Sequence, residues 1–193
     1  LHLCHHNLEN ISDYNSNAKH DLLAEVCMAA KFEAQSLIRD HPKYKENNPD
    51  TKSQICTVLA RSFADIGDIV RGKDLFYGNT HESKQRDKLE ENLRKIFENI
   101  YEGLSNNGVK ARYEGDTENY YKLREDWWTA NRATVWKAIT CKAKEADKYF
   151  RDACGGGKTP TEGYCRCDGD KPGQDNPNTD PPTYFDYVPQ YLR

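Results

Sequence analysis

Between residues 55 and 70, apolar side chains return at helical intervals: Ile55, Val58, Leu59, Phe63, Ile66, Ile69 and Val70. A half-buried strand would alternate every second residue, so this spacing predicts an amphipathic helix. Gly72 follows it, flanked by Arg71 and Lys73, residue types that suit a helix C-terminus. The same period recurs elsewhere. Leu22, Val26, Ala29, Ala30, Leu37 and Ile38 predict a helix over 17–40 that His41-Pro42 ends. Thr51-x-x-Gln54 is a capping-box candidate, which places the second helix over 52–72. Leu89, Leu93, Ile96, Phe97, Ile100 and Leu104 predict a third over 83–104. A fourth is expected to begin after Asp116 or Thr117 and to run to about 152. No segment shows strand alternation. The expected class is all-α, a helical bundle with mostly short joints.

The rest of the chain divides by composition. Residues 1–15 read as the irregular end of an upstream subdomain, and 16–154 as the helical bundle subdomain. Residues 155–182 are dominated by Gly, Pro, Asp, Asn and Lys, with two cysteines embedded. Such a segment cannot bury enough to order itself unless disulfides tie it down. Residues 183–193 read as the start of a helix in a following subdomain. A mean hydropathy of -0.99 with 31% charged residues fits thin helical layers with wide solvated faces. The net charge of -3 gives no global reason to expect nucleic acid as a partner. The chain opens without Met in mid-domain sequence and ends at Tyr-Leu-Arg193 where a helix is starting, which reads as a piece of a longer chain. The lack of a signal-peptide core and of an apolar run of about 18 residues therefore does not exclude a membrane anchor elsewhere in it.

Catalytic and cofactor chemistry finds little support. No Ser/His/Asp or Cys/His arrangement stands out, and paired carboxylates such as Glu125-Asp126 read as solvated helix-surface charge. Cys165-x-Cys167 with His5-His6 lacks the paired CxxC spacing of structural zinc sites. Gly155-Gly-Gly-Lys158-Thr159 lacks the full phosphate-loop pattern and follows a helix instead of a strand. The expectation is therefore no enzyme, no cofactor and no metal. Trp127, Trp128 and Trp136 read first as core, at least two of them, because Trp128 and Trp136 fall close to one helical face.

Four segments taken together closely resemble one family. They are Ala60–Leu75 (ARSFADIGDIVRGKDL), Trp127-Trp128-Thr-Ala-Asn131-Arg132 with Val135-Trp136-Lys137-Ala138, Cys165-Arg-Cys167, and Asp186-Tyr-Val-Pro-Gln-Tyr-Leu-Arg193. In this order they resemble the middle portion of the alpha-class Duffy-binding-like domain of the Plasmodium falciparum erythrocyte membrane protein family encoded by var genes. The resemblance implies a host-receptor adhesion module of a variant surface antigen, active in cytoadhesion or rosetting and in antigenic variation. It implies display on the extracellular face of the infected erythrocyte membrane, anchored by a transmembrane segment outside these residues. The implied partners are a host cell-surface protein or a sulfated glycan such as heparan sulfate, adjacent domains of the same chain, and antibodies. The alternative is a structural spacer that packs against a neighbouring receptor-binding domain and has no ligand of its own. On the adhesion reading, loops near 42–50, 105–116 and 155–182 would be the variable faces.

Two sets of residues carry the finer expectations. Seven cysteines leave one without a partner within the chain. Cys56 with Cys141 is the expected staple between the second and fourth helices, which the resemblance supports, since these domains carry such a bridge. Cys27 with Cys154 is the second expected pair, on the reading that the first helix lies beside the end of the fourth. Cys4 would pair upstream, and Cys165 and Cys167 downstream. For glycan the candidates are Arg94 and Lys95 on the third helix and Lys137, Lys144 and Lys148 sharing a face of the fourth. Interleaved Glu90, Glu91, Glu145 and Asp147 make a solvated mixed-charge face the plainer reading.

Overall fold

A computed structural model describes residues 18–74, 80–104 and 108–193. Four helices carry it: α1 (Ala18–Asn47), α2 (Ile55–Arg71), α3 (Thr80–Glu102) and α4 (Tyr121–Ile139). Short 3-10 turns occupy Lys110–Tyr113, Phe185–Tyr187 and Gln190–Leu192. Among the described residues there is no strand, only isolated bridges that close tight turns.

The core follows from the stripes. α1 packs on α4 and α2 through Leu22, Val26, Ala29, Ala30 and Ala34, all buried, the small residues letting the backbones approach. α2 contributes Leu59, Phe63 and Val70, and α3 contributes Leu89, Leu93, Ile96 and Phe97. All three tryptophans are buried. Phe63 lies between two of them, 5.1 Å from the Trp128 ring and 5.2 Å edge-on to Trp136. Phe97 meets Trp127 edge-on at 6.1 Å. Each such aromatic pair contributes about 0.5–1.5 kcal/mol beyond its buried area. Gly67 leaves room for this arrangement: a Cβ there would stand 2.7 Å from Trp128 Cζ2.

Helix ends depart from the sequence expectation in instructive ways. α1 continues through Pro42 to Asn47. Pro42 removes one backbone donor, yet the Asn48 side-chain amide caps the end on the Tyr44 carbonyl at 2.9 Å. Thr51 does not cap α2; Gln54 holds that position without a side-chain bond. The other end is as expected, with Gly72 left-handed at φ 68° and the Lys73 N–H bonded to the Asp68 carbonyl at 2.8 Å. α4 begins at Tyr121, where the Asp116 carboxylate accepts the Lys122 N–H at 2.7 Å.

α4 stops at Ile139, well short of the expected 152. Thr140 Oγ1 donates back to the Trp136 carbonyl at 2.7 Å and accepts from Arg166 at 2.8 Å. Beyond it the backbone forms local turns and bonds the 161–165 segment, as in Tyr164 N–H to the Lys144 carbonyl (3.0 Å) and Cys165 N–H to the Asp147 carbonyl (2.9 Å).

Disulfides do order the polar segment, but by other pairings than expected. Cys56 bridges Cys165 and Cys154 bridges Cys167. The Cys56–Cys141 expectation is corrected because Cys165 takes Cys56, and Cys141, two residues past the end of α4, is left free. The Cys27–Cys154 expectation is corrected because Cys154 closes a local loop with Cys167; Cys27 and Cys141 are free. Cys165 and Cys167 reach back into the bundle, not downstream. Cys4 lies outside the described residues.

Candidate functional site

Arg166 sits between the two bridged cysteines and is fully buried. Its guanidinium donates to Thr140 Oγ1 (2.8 Å), the Lys137 carbonyl (2.7 Å) and Asp175 (2.7 Å), with Asp170 3.5 Å away. It thereby satisfies a carbonyl at the C-terminus of α4 while fixing the 166–175 turn. Trp136 adds its indole N–H to the Cys165 carbonyl at 3.1 Å.

The chain then returns across α2 and α4 as a strap, residues 183–193. Pro189 disfavours helical backbone at Val188, so the segment forms short turns instead of the expected helix. Buried charge pins it. Asp186 accepts two bonds from Arg132, each 2.8 Å, and one from the Trp128 indole at 2.9 Å. Arg132 also donates to the Thr183 carbonyl at 2.8 Å. Burial opposes the Arg132 charge, but the Asp186 bonds outweigh it and its pKa is raised. Arg71 donates to the Gly67 carbonyl (2.9 Å), Asp68 (3.1 Å), Glu125 (3.1 Å) and the Asp186 carbonyl. Arg193 bonds Asp65 at 2.9 Å and also Asp68. Burial raises the carboxyls of Asp65 and Asp68 despite Arg193, whereas Glu125, against its own burial, is lowered by bonds from Lys73 and Arg71.

This frame holds aromatic side chains outward. Tyr184, Tyr187, Tyr191 and Leu192 are 60%, 44%, 77% and 66% exposed, beside a cavity of about 360 Å³ lined by Asp68, Arg71, Lys73 and Gln190. The Tyr187 ring lies 5.4 Å from the Arg71 guanidinium and 5.2 Å from that of Arg132. Tyr is among the residue types enriched in protein-recognition hot spots, and here the buried Arg71 and Arg132 guanidiniums back the Tyr187 ring from inside. Sequence reading missed this row because it assigned 183–193 to a helix start.

The expected glycan residues do not form one helical face. Lys137 is half-buried and donates to the Asn176 carbonyl. Lys144 and Lys148 are exposed but lie in the turns after α4. Arg94 and Lys95 are half-buried on α3, and Lys95 pairs with Glu91 at 2.7 Å. In the Gly155–Thr159 turn, the N–H groups of Gly157, Lys158 and Thr159 all bond the Cys154 carbonyl, so none is offered to a phosphate. Among the described residues, no group of His, Cys, Asp or Glu is placed to hold a metal ion, and His5-His6 lie outside them.

The Duffy binding domain family model matches residues 1–193. The chain belongs to this family. Solved structures agree. The Duffy-binding-like (DBL) domain chain of the varO-strain P. falciparum PfEMP1, an N-terminal NTS-DBL1-alpha and CIDR-gamma double domain, is 44% identical with a TM-score of 0.73, covering 99% of this chain and 25% of that one. The ICAM-1-binding PfEMP1 IT4var13 DBLbeta domain is 33% identical with a TM-score of 0.64, covering 100% and 39%. A second PfEMP1 DBLbeta domain, solved bound to human ICAM-1, is 31% identical with a TM-score of 0.61, covering 99% and 36%. The Duffy-binding chain described here thus spans about a quarter to two-fifths of these structures. No curated protein matches it. The sequence resemblance and the match therefore agree on a Duffy-binding-like domain of the PfEMP1 kind.

Proposed function

We propose that the chain is part of a host-receptor adhesion module in a variant surface antigen, working by surface recognition without catalysis. The observation that carries this reading is the match to the Duffy binding domain along all of residues 1–193. The related DBLbeta domains bound to ICAM-1 support a host cell-surface protein as the partner class. The exposed Tyr184, Tyr187, Tyr191 and Leu192 supply a contact row of suitable chemistry. The anchor to the erythrocyte membrane would lie elsewhere in the parent protein.

A spacer role is the second reading. It draws on the same row, since exposed apolar side chains held by a rigid strap also suit packing by an adjacent domain. Surface plasmon resonance of the complete domain against a panel of host cell-surface proteins separates the two. Specific binding lost on Tyr187→Ala/Tyr191→Ala supports adhesion through the row. No binding by the isolated domain, with binding restored when its neighbour is attached, supports the spacer.

A further inference from the structure

A second cavity, of about 320 Å³, lies between α1, the C-terminal half of α4 and the turn at 172–175. It shares no lining residue with the cavity beside the tyrosine row. Lys31 reaches it from α1, Lys137 from α4, and the buried Arg166 from between the bridged cysteines. Thr134, on α4, adds an exposed hydroxyl. Arg166 is answered by Asp170 and Asp175. The two lysines are not answered in this way. Lys137 donates to a neutral carbonyl, that of Asn176, which leaves its other ammonium N–H groups free. Lys31 is exposed, and among the described residues no ion pair engages either lysine. Burial, opposed by Lys31, pushes the neighbouring Cys27 thiol up to about 11, so at neutral pH it supplies no counter-charge.

We infer that this cavity receives one carboxylate, the side chain of a Glu or Asp on a partner protein, with Lys31 and Lys137 as its charged contacts and Thr134 as a hydroxyl donor. An acidic side chain leaves water at little cost only where cations without partners await it, and charge-assisted bonds then hold it. The site is separate from the tyrosine row and gives a partner a second point of attachment. A polysulfated glycan fits it less well. Such a chain needs a track of cations, and here the half-exposed Asp175 carboxylate stands among the lining residues.

The test is an NMR titration of the full nitrogen-15-labelled chain. N-acetylglutamate N-methylamide is the probe, and N-acetylglutamine N-methylamide is its neutral control. Saturable shifts of the Thr134 and Lys137 amides with the glutamate probe, and none with the glutamine control, are the expected result. Lys31→Gln should weaken the glutamate probe roughly fivefold, the effect of one unit charge at about 4 Å in water, and Lys31→Arg should restore it. Lys31 is exposed, so neither substitution disturbs the core. Equal shifts with both probes, no saturable shift, or unchanged affinity in Lys31→Gln overturns the inference. Sodium acetate that binds as tightly also overturns it, because the cavity would then take any free carboxylate. A heparin oligosaccharide that saturates the same amides at lower concentration overturns it in favour of sulfated glycan.

Discussion

Arg132 grips Asp186 with two parallel bonds of 2.8 Å at a place where the carboxylate is fully buried and the guanidinium side chain nearly so. Bidentate geometry and full hydrogen bonding are what let a buried ion pair offset its desolvation. Through this pair the strap is seated on α4.

Asp186→Ala should therefore leave Arg132 and the Trp128 indole unpaired in the interior. The expected cost is about 3–5 kcal/mol, read as a shift in urea midpoint, with strap residues gaining hydrogen exchange ahead of α2. A loss under 1 kcal/mol would mean that the pair does not seat the strap.

The two bridges should differ in weight. Cys56–Cys165 spans 109 residues and Cys154–Cys167 only 13. On the loop-entropy model, removing the first as Cys56→Ala/Cys165→Ala costs about 4–5 kcal/mol, against about 3 kcal/mol for the second. Denaturant titrations of the two double variants give the order directly.

Gly67→Ala tests the close approach of α2 to α4. The added Cβ would meet the Trp128 ring at 2.7–2.8 Å. Overpacking of this kind costs about 1–3 kcal/mol, and the change should also appear in tryptophan fluorescence.

His41 supplies a pH dependence. Its ring lies 3.1 Å from Ser53 Oγ, and burial, with Lys45 adding, lowers its pKa against the pull of Asp147. Folding therefore favours the neutral ring. The contribution is complete above the unfolded value of about 6.5 and is lost as pH falls through it towards the folded pKa. Stability curves of wild type and His41→Gln, recorded from pH 8 to 5, should converge on the acid side.

Glycan binding, if it resides here, should depend on the exposed lysines. Lys144→Glu/Lys148→Glu should elute earlier from heparin, the log–log salt slope falling by about one per charge removed. Lys95→Glu should change little, because Glu91 already neutralises Lys95. Co-elution of all three proteins would place the site elsewhere.

The helices were legible because their stripes are local. Leu89 to Leu104 announces α3, and Gly72 announces the end of α2, without reference to the rest of the molecule. What failed was non-local. Ala143 and Tyr149 are apolar and buried, so they prolong the apparent pattern of α4, but the Tyr149 N–H is taken by Thr161 and the Lys144 and Asp147 carbonyls by Tyr164 and Cys165. The cysteine pairing failed for the same reason: the partner of Cys56 is Cys165, 109 residues along the chain, and Cys141 falls beyond the end of α4 at Ile139. Arg71 looked like a charge at a helix end, yet it is buried with four acceptors. Nothing in the spacing of Asp68, Glu125 and Asp186 reveals that they meet around it.

The Cys165-Arg166-Cys167 tripeptide has a further consequence. Its three side chains anchor the polar segment to α2, to the end of α4 and to Cys154, all within three positions. Between these anchors, Gly156, Gly157 and Gly173 would bring a Cβ into empty space. The energy that keeps the segment in place thus resides in a few fixed points and not in its outward side chains. A surface secured in this way can exchange most of its visible residues while the folding free energy stays nearly constant, so its outward chemistry is the part of the molecule that folding constrains least.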